Sequence, residues 1–155
     1  MAPRPAPGAA RSRIRATEHD LRAALAGATA AATWAAAEPA LRRLFGTPYS
    51  DVRLLGAPFG RRWRLAGTGL HLANGAAAGV AFRRLGLRGW KAGIAAAQLE
   101  SAALWPGMAF VDRYHPDRRS GAWPPLLLNP RVFGQEVAAH AIFGGVLGLL
   151  VRHER

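Results

Sequence analysis

The chain has 155 residues and a formal net charge of +12, because its 21 Lys and Arg residues outnumber nine Asp and Glu residues. It contains no cysteine, which excludes disulfides, thiolate metal sites and thiol catalysis. This length suits one domain or one small membrane bundle. All basic residues but one are Arg, as in proteins of GC-rich genomes, so we expect no nucleic acid partner; anionic lipid headgroups explain interrupted Arg clusters equally well.

Residues 1–18 form a basic segment rich in Pro, Ala and Arg. The segment lacks the apolar core that is typical of a secretory signal, and its composition predicts a disordered arm. We expect the remaining residues, 19–155, to fold as a single unit.

Four apolar segments follow, at residues 21–41, 65–82, 92–111 and 133–151. Each has about 18 to 21 residues, the length at which a helix crosses the hydrocarbon core of a bilayer. The alternative, a soluble four-helix bundle, requires amphipathic helices with charged outer faces. The second segment has no charged residue at all. The sequence therefore predicts an all-α integral membrane four-helix bundle.

A His-x3-Gly-x3-Gly motif occurs twice, 69 positions apart, in the second and fourth segments. The two copies are His71-Gly75-Gly79 and His140-Gly144-Gly148. Residues four apart lie on one face of a helix, and small residues at this spacing let helices approach closely in lipid. We therefore expect the four glycines to mediate helix packing and the bundle to consist of two similar helical hairpins.

Short basic and aromatic stretches set the expected topology. Trp63, Trp90 and Trp123 fall near segment ends, where interfacial aromatic residues are common. The compact loop at residues 83–91 is basic and has no acidic residue. Since this loop and both termini lie on one side of a four-span chain, we expect both termini in the cytoplasm and the protein in a bacterial inner membrane.

Ionisable residues inside the predicted spans are costly in a membrane and indicate a functional site. At 1.5 Å per residue, both motif histidines lie about 9 to 11 Å from the same membrane face. One half of the bundle can therefore hold a proton- or ion-binding cluster. Its candidate residues are Glu38, His71, Asn74, Glu100, Glu136 and His140.

Several functions fit such a cluster. Histidine titrates near neutrality and buried carboxylates exchange protons, which favours proton or cation handling. A metal site at His71, His140, Glu136 and Glu100 is an alternative, although the helical pair here has Glu-x3-His spacing, unlike the Glu-x-x-His of bundle di-metal proteins. Two histidines could also ligate a haem. Alternatively, these groups only hydrogen-bond between helices.

The loop between the third and fourth segments holds Asp112, His115 and Asp117 close together. Such a loop can bind a metal ion or lipid headgroups, but we favour the interpretation that it is a Pro-rich turn with solvated charges. No nucleophile motif, phosphate loop or dinucleotide fingerprint is present in the sequence. Enzymatic activity is therefore not the favoured interpretation.

Several short motifs resemble the YagU-like family of bacterial inner-membrane proteins, whose molecular function is unassigned. The matching pieces are Glu38-Pro39, the glycine helix that begins at His71, GWKAGIAAAQ with Pro106-Gly107-Met108, and Glu136-x3-His140. The resemblance covers most of residues 30–155. It implies an inner-membrane protein linked to tolerance of acid or envelope stress, and it supplies no substrate or catalytic residue.

The leading hypothesis is a small multi-pass membrane protein whose intramembrane Glu/His cluster handles protons or a cation. Glu136 and His140 would be its centre. The alternatives are a structural or accessory subunit whose glycine stripes pack against another membrane protein, and a protein that binds a metal ion or haem. The expected partners are the lipid bilayer and anionic headgroups, with a second copy or a membrane partner protein as a further candidate.

Overall fold

A computed structural model describes residues 7–151, and this part of the chain is all-α, with helices, turns and loops but no strand. The α-helices are α1 (Pro7–Phe45), α2 (Asp51–Gly56), α3 (Trp63–Arg84), α4 (Gly89–Leu104), α5 (Met108–Tyr114), α6 (Pro116–Arg119) and α7 (Pro130–Leu150). Two 3₁₀ turns, Ala57–Arg62 and Trp105–Gly107, lead into α3 and α5.

The first helix is longer than the sequence pattern predicts. It begins at Pro7 and includes most of the segment whose composition predicts a disordered arm; residues 1–6 lie outside the described part. Ala and Arg are strong helix formers, and proline is tolerated in a first turn. Asp20 accepts hydrogen bonds from Arg83 and Arg84 at the end of α3. These guanidinium groups lower the pKa of the Asp20 carboxyl to about 2, and the hydrogen bond from Arg84 makes the largest contribution.

The third predicted span, residues 92–111, is not one continuous helix. α4 ends at Leu104, the chain makes a 3₁₀ turn through Pro106 and Gly107, and α5 begins at Met108. Proline has no backbone N–H to continue the helical hydrogen bonds and its ring clashes with the preceding turn. Beyond the interruption, Met108 and Val111 of α5 pack against a cluster of buried residues that includes Tyr49 and Trp123.

Two helix pairs pack through glycine in the same way. A β-carbon on Gly27 of α1 would overlap the carbonyl oxygen of Gly75 in α3, and a β-carbon on Gly93 of α4 would overlap the carbonyl oxygen of Gly144 in α7. In both pairs the next contact is the glycine four residues further on, Gly79 in α3 and Gly148 in α7. The helix backbones therefore touch directly at both sites.

The two pairs meet where α1 packs against α7. The core between them consists of small residues and a few large ones, including Ala30, Trp34, Ala139 and Phe143. The bundle interior is thus built largely from alanine and glycine, which keeps the four long helices close together.

A second small core closes one end of the bundle. Tyr49, Trp123, Leu126 and Val132 are buried in it. Asp112 accepts hydrogen bonds from the backbone N–H groups of Leu126 (2.8 Å) and Leu127 (3.1 Å). Because its carboxylate fixes the segment before α7, Asp112 has a clear structural role.

The neighbouring acidic and histidine residues of this loop also have partners. Asp117 accepts two hydrogen bonds from Arg53 at 2.7 and 2.9 Å, and the guanidinium lowers the pKa of the Asp117 carboxyl. The His115 ring stacks on Trp123 with a centroid distance of 4.4 Å, and burial lowers the pKa of His115. These contacts join the loop to α2, beside the bundle end.

Hydropathy separates α7 from the other helices. Within residues 7–151, α7 alone is both long and apolar enough to cross a bilayer, with a mean hydropathy of 1.3 in its best window. Half of that window is buried, and the core helix of a soluble protein can meet the same criterion. Of the four predicted spans, three therefore fall short of it: α4 has only 16 residues, and Ala, Gly and polar residues lower the hydropathy of α1 and α3.

Candidate functional site

A cavity of about 320 Å³ lies among α1, α2, α3, α4, α5 and α7. Most of its wall is apolar, with Trp34, Met108 and Phe143 among the larger side chains. The polar residues of the wall are Asp51, His71, Asn74, Glu100, Ser101, Glu136 and His140. Five of the six cluster residues expected from the sequence therefore line one cavity.

His71 makes two hydrogen-bonding contacts, both to acceptors. Its Nδ1 lies 2.8 Å from a carboxylate oxygen of Asp51, and its Nε2 lies 3.1 Å from the carbonyl oxygen of Ala31. A neutral imidazole has only one N–H, so it can satisfy only one acceptor. Both contacts are satisfied when the ring is doubly protonated. The geometry therefore fits an imidazolium–carboxylate pair, with the His71 side chain only 6% exposed.

His140 is bound differently. Its Nδ1 donates to the carbonyl oxygen of Glu136, one helical turn earlier, at 2.8 Å. In the neutral ring the lone pair is then on Nε2. The Glu136 carboxylate lies 3.7 Å from the same Nδ1, beyond normal hydrogen-bonding distance. The contacts of His140 thus need only one N–H, whereas those of its counterpart His71 need two.

The Trp34 ring lies against both histidines. Its ring centroid lies 4.8 Å from that of His71 and 4.5 Å from that of His140. A haem held by both imidazoles would have to displace this buried indole. The arrangement therefore does not fit the haem alternative.

Glu136 is the most deeply buried acidic residue of the wall, with 3% of its surface exposed. Its Oε1 has no hydrogen-bond partner within the described part of the chain. A buried carboxylate oxygen without a partner is strongly unfavourable, unless a proton or a bound ligand compensates for it. In the neighbouring Gln135, by contrast, both side-chain polar atoms have a partner, because Oε1 accepts from Thr47 and Nε2 donates to the carbonyl oxygen of Tyr49.

Glu38 is the sixth expected residue and is not among the residues that line the cavity. Its carboxylate accepts the backbone N–H of Asp51 at 2.9 Å. The bond fixes the start of α2, where Asp51 reaches His71. Asn74 and Glu100 also belong to the cavity wall, but unlike Glu136 both residues are exposed.

Sequence reasoning missed Asp51, Trp34 and Ser101. The predicted spans leave Asp51 in a loop outside the membrane, whereas the first turn of α2 brings it back against α3. A local signal for this turn exists: Ser50 accepts a hydrogen bond from the backbone N–H of Arg53, as an N-cap residue does. Helical spacing alone cannot reveal such a contact between distant segments.

The geometry also bears on the metal site and on the docking role of the glycine stripes. Among residues 7–151, no group of three His, Asp or Glu side chains is arranged to hold a metal ion, so the structure lends the metal hypothesis no support.

The glycine stripes are covered within the chain, because Gly75 and Gly79 pack on α1, and Gly144 and Gly148 pack on α4. They therefore offer no free surface for docking another membrane protein.

Comparisons of the chain with protein-family models, with curated proteins and with solved structures give no match. The resemblance to the YagU-like family thus stays a hypothesis. The function must be inferred from the cavity and its surroundings.

Proposed function

We propose that the chain is a multi-pass protein of the bacterial inner membrane whose buried carboxylate–histidine cavity handles protons or a cation. The observation that carries this proposal is Glu136, a carboxylate buried beside the cavity with one oxygen unpaired. The two histidines of the same wall differ in their hydrogen bonds. Such a set can take up and release protons near neutral pH.

Membrane insertion is supported by the distribution of side chains on the long helices. On α3, Leu65 is 79% exposed while His71 is 5% exposed. On α7, Leu149 is 66% exposed while Glu136 is 3% exposed. A protein in water buries its large apolar residues and exposes its charges, whereas ionisable residues in a membrane face the bundle interior. The exposed large apolar residues of the described parts of these helices are Leu21, Leu25, Leu44, Leu65, Leu70, Trp90, Leu99, Leu104, Phe133, Val137, Leu149 and Leu150.

The proposed topology places both termini in the cytoplasm. It is supported by two contacts at one end of the bundle: Asp20 pairs with Arg83 and Arg84, and Gly148 packs on Gly89. The part of α1 around Asp20, the loop after α3 and the end of α7 therefore lie at the same end. The basic residues of that loop fit the positive-inside rule.

Carbonate extraction tests the membrane part of the proposal. The protein should stay in the membrane pellet after alkaline washing, and its release into the supernatant would refute insertion.

Infrared difference spectroscopy tests the proton-handling part. We expect the difference between the spectra at about pH 5 and about pH 8 to contain a band from a protonated carboxyl group. The band should disappear in Glu136→Gln and persist in Glu18→Gln, which changes an exposed acid near the start of α1. A spectrum that is identical in both variants would contradict the assignment to Glu136.

A further inference from the structure

Three exposed residues of the cavity wall, Asn74 on α3 and Glu100 and Leu104 on α4, indicate that the cavity opens between these two helices. These helices are joined by a four-residue turn, but α3 packs on α1 and α4 packs on α7. The exposed residues Asn74 and Glu100 lie on the two sides of the opening. Under the proposed membrane orientation the opening faces lipid, so a ligand with an apolar body can enter from the bilayer.

The charge of the wall is opposite to that of the protein as a whole. The chain has 21 Lys and Arg residues, yet none is among the wall residues, which all lie in the described part. Three of the nine acidic residues, Asp51, Glu100 and Glu136, do line the cavity. Asp51 is paired with His71, which leaves Glu136 and Glu100 to attract a cation.

The size and lining favour an organic cation over a metal ion. A volume of about 320 Å³ is at the lower end of the range for small-molecule pockets, about 300–1,000 Å³. Trp34, Trp105 and Phe143 line the wall, and aromatic rings attract ammonium groups. A mainly apolar pocket with a few convergent polar groups is typical of small-molecule sites.

We propose that the cavity binds an organic monocation, a protonated amine or quaternary ammonium group on a compact apolar body, with the cationic group at Glu136. This inference deepens the proposed function and rests on it. When the cation binds, the Glu136 carboxyl releases its proton, so that its otherwise unpaired Oε1 supplies the counter-charge, and the aromatic and aliphatic wall contacts the body. Glu100 attracts the cation at the opening.

The test is calorimetric titration of the full chain in phosphatidylcholine nanodiscs, with empty nanodiscs subtracted. The probes are 2-phenylethyltrimethylammonium, the neutral 2-phenylethanol and the anionic 3-phenylpropanoate, which share one apolar body. We expect saturable binding of the cation and no binding of the anion. The alcohol should bind about tenfold or more weakly than the cation, because a charge-assisted contact with a carboxylate is stronger than a neutral one by at least the free energy of a tenfold change in affinity.

Variants connect the binding to the wall. Glu136→Gln should weaken cation binding by about tenfold, and Glu100→Gln, which changes an exposed side chain and should leave the fold intact, by a smaller factor. Glu18→Gln should bind as the wild-type protein does. Circular dichroism confirms that each variant is folded.

Equal affinity for the cation and the alcohol, or an affinity unchanged in both Glu136→Gln and Glu100→Gln, would overturn the inference. So would the absence of any saturable binding. In each of these cases the infrared band of Glu136 decides separately: if it is present, proton handling stands and only the organic ligand is refuted.

Discussion

Substituting Gly79 with alanine tests the direct backbone contact between α1 and α3. A β-carbon at this position would overlap the carbonyl oxygen of Ala23, and the Cα of Gly27 would lie 3.1 Å away. Since neither atom belongs to a flexible side chain, the helices themselves must move apart. Gly69 lies in the same helix, and a β-carbon added there would have no atom of a packing neighbour within 4 Å in the described part of the chain. It is therefore the matched control.

The expected magnitudes have opposite signs. Gly69→Ala should stabilise the protein by about 0.5–1 kcal/mol, because alanine restricts the unfolded chain and favours helix. Gly79→Ala has the same helix benefit but should destabilise by a net amount of about 1–2 kcal/mol, since overpacking costs about 1–3 kcal/mol. The helix displacement would also lengthen the contact between His71 and Ala31.

The assay is reversible unfolding by a denaturing detergent, followed by far-ultraviolet circular dichroism, with wild type, Gly69→Ala and Gly79→Ala measured in parallel. The two variants should move the midpoint in opposite directions. A Gly79→Ala protein as stable as Gly69→Ala would refute the close backbone contact, because an open interface would accept both methyl groups equally.

Two further predictions concern the ion pairs. Asp51→Asn should leave the His71 ring singly protonated near neutral pH, as read by ring ¹⁵N chemical shifts; an unchanged doubly protonated ring would contradict the imidazolium–carboxylate pair. The pKa of Asp117 is lowered in the folded protein by Arg53, so its contribution to stability is present above about pH 4 and is lost as the pH falls further. Asp117→Asn should therefore flatten the acid end of the stability–pH profile, and a profile identical to wild type would refute the link.

The repeated His-Gly-Gly spacing carries much information about this fold. It predicts that His71 and His140 lie on the same helix faces as the glycines, and both sets of residues do lie inside the bundle. Helical periodicity is local, so it can be read from one segment at a time.

The parts that the sequence did not reveal depend on contacts between distant segments. The contact of Asp51 with His71 needs the return of α2 against α3, and no periodic pattern encodes that turn. Pro106 could have indicated the interruption of the third segment, but the apolar residues on both sides suggest a continuous helix. Among the described helices, only α7 is identified as a candidate span by its length and hydropathy. Alanine and glycine allow the other long helices to pack closely, but these small residues lower the mean hydropathy.

We propose that lipid surrounds the bundle, because large apolar residues are exposed on its outside while ionisable residues such as His71 and Glu136 are buried inside. The chain has no natural cysteine, so single spin labels can be placed at Leu99→Cys and at Phe59→Cys; these positions are 72% and 54% exposed, the first on α4 and the second in the 3₁₀ turn before α3. The measurement is the accessibility of each label to oxygen and to a water-soluble nickel chelate in nanodiscs. We expect the label at position 99 to be accessible to oxygen but not to the chelate, and the label at position 59 to be accessible to the chelate. Free access of the chelate to position 99 would contradict a membrane-embedded bundle.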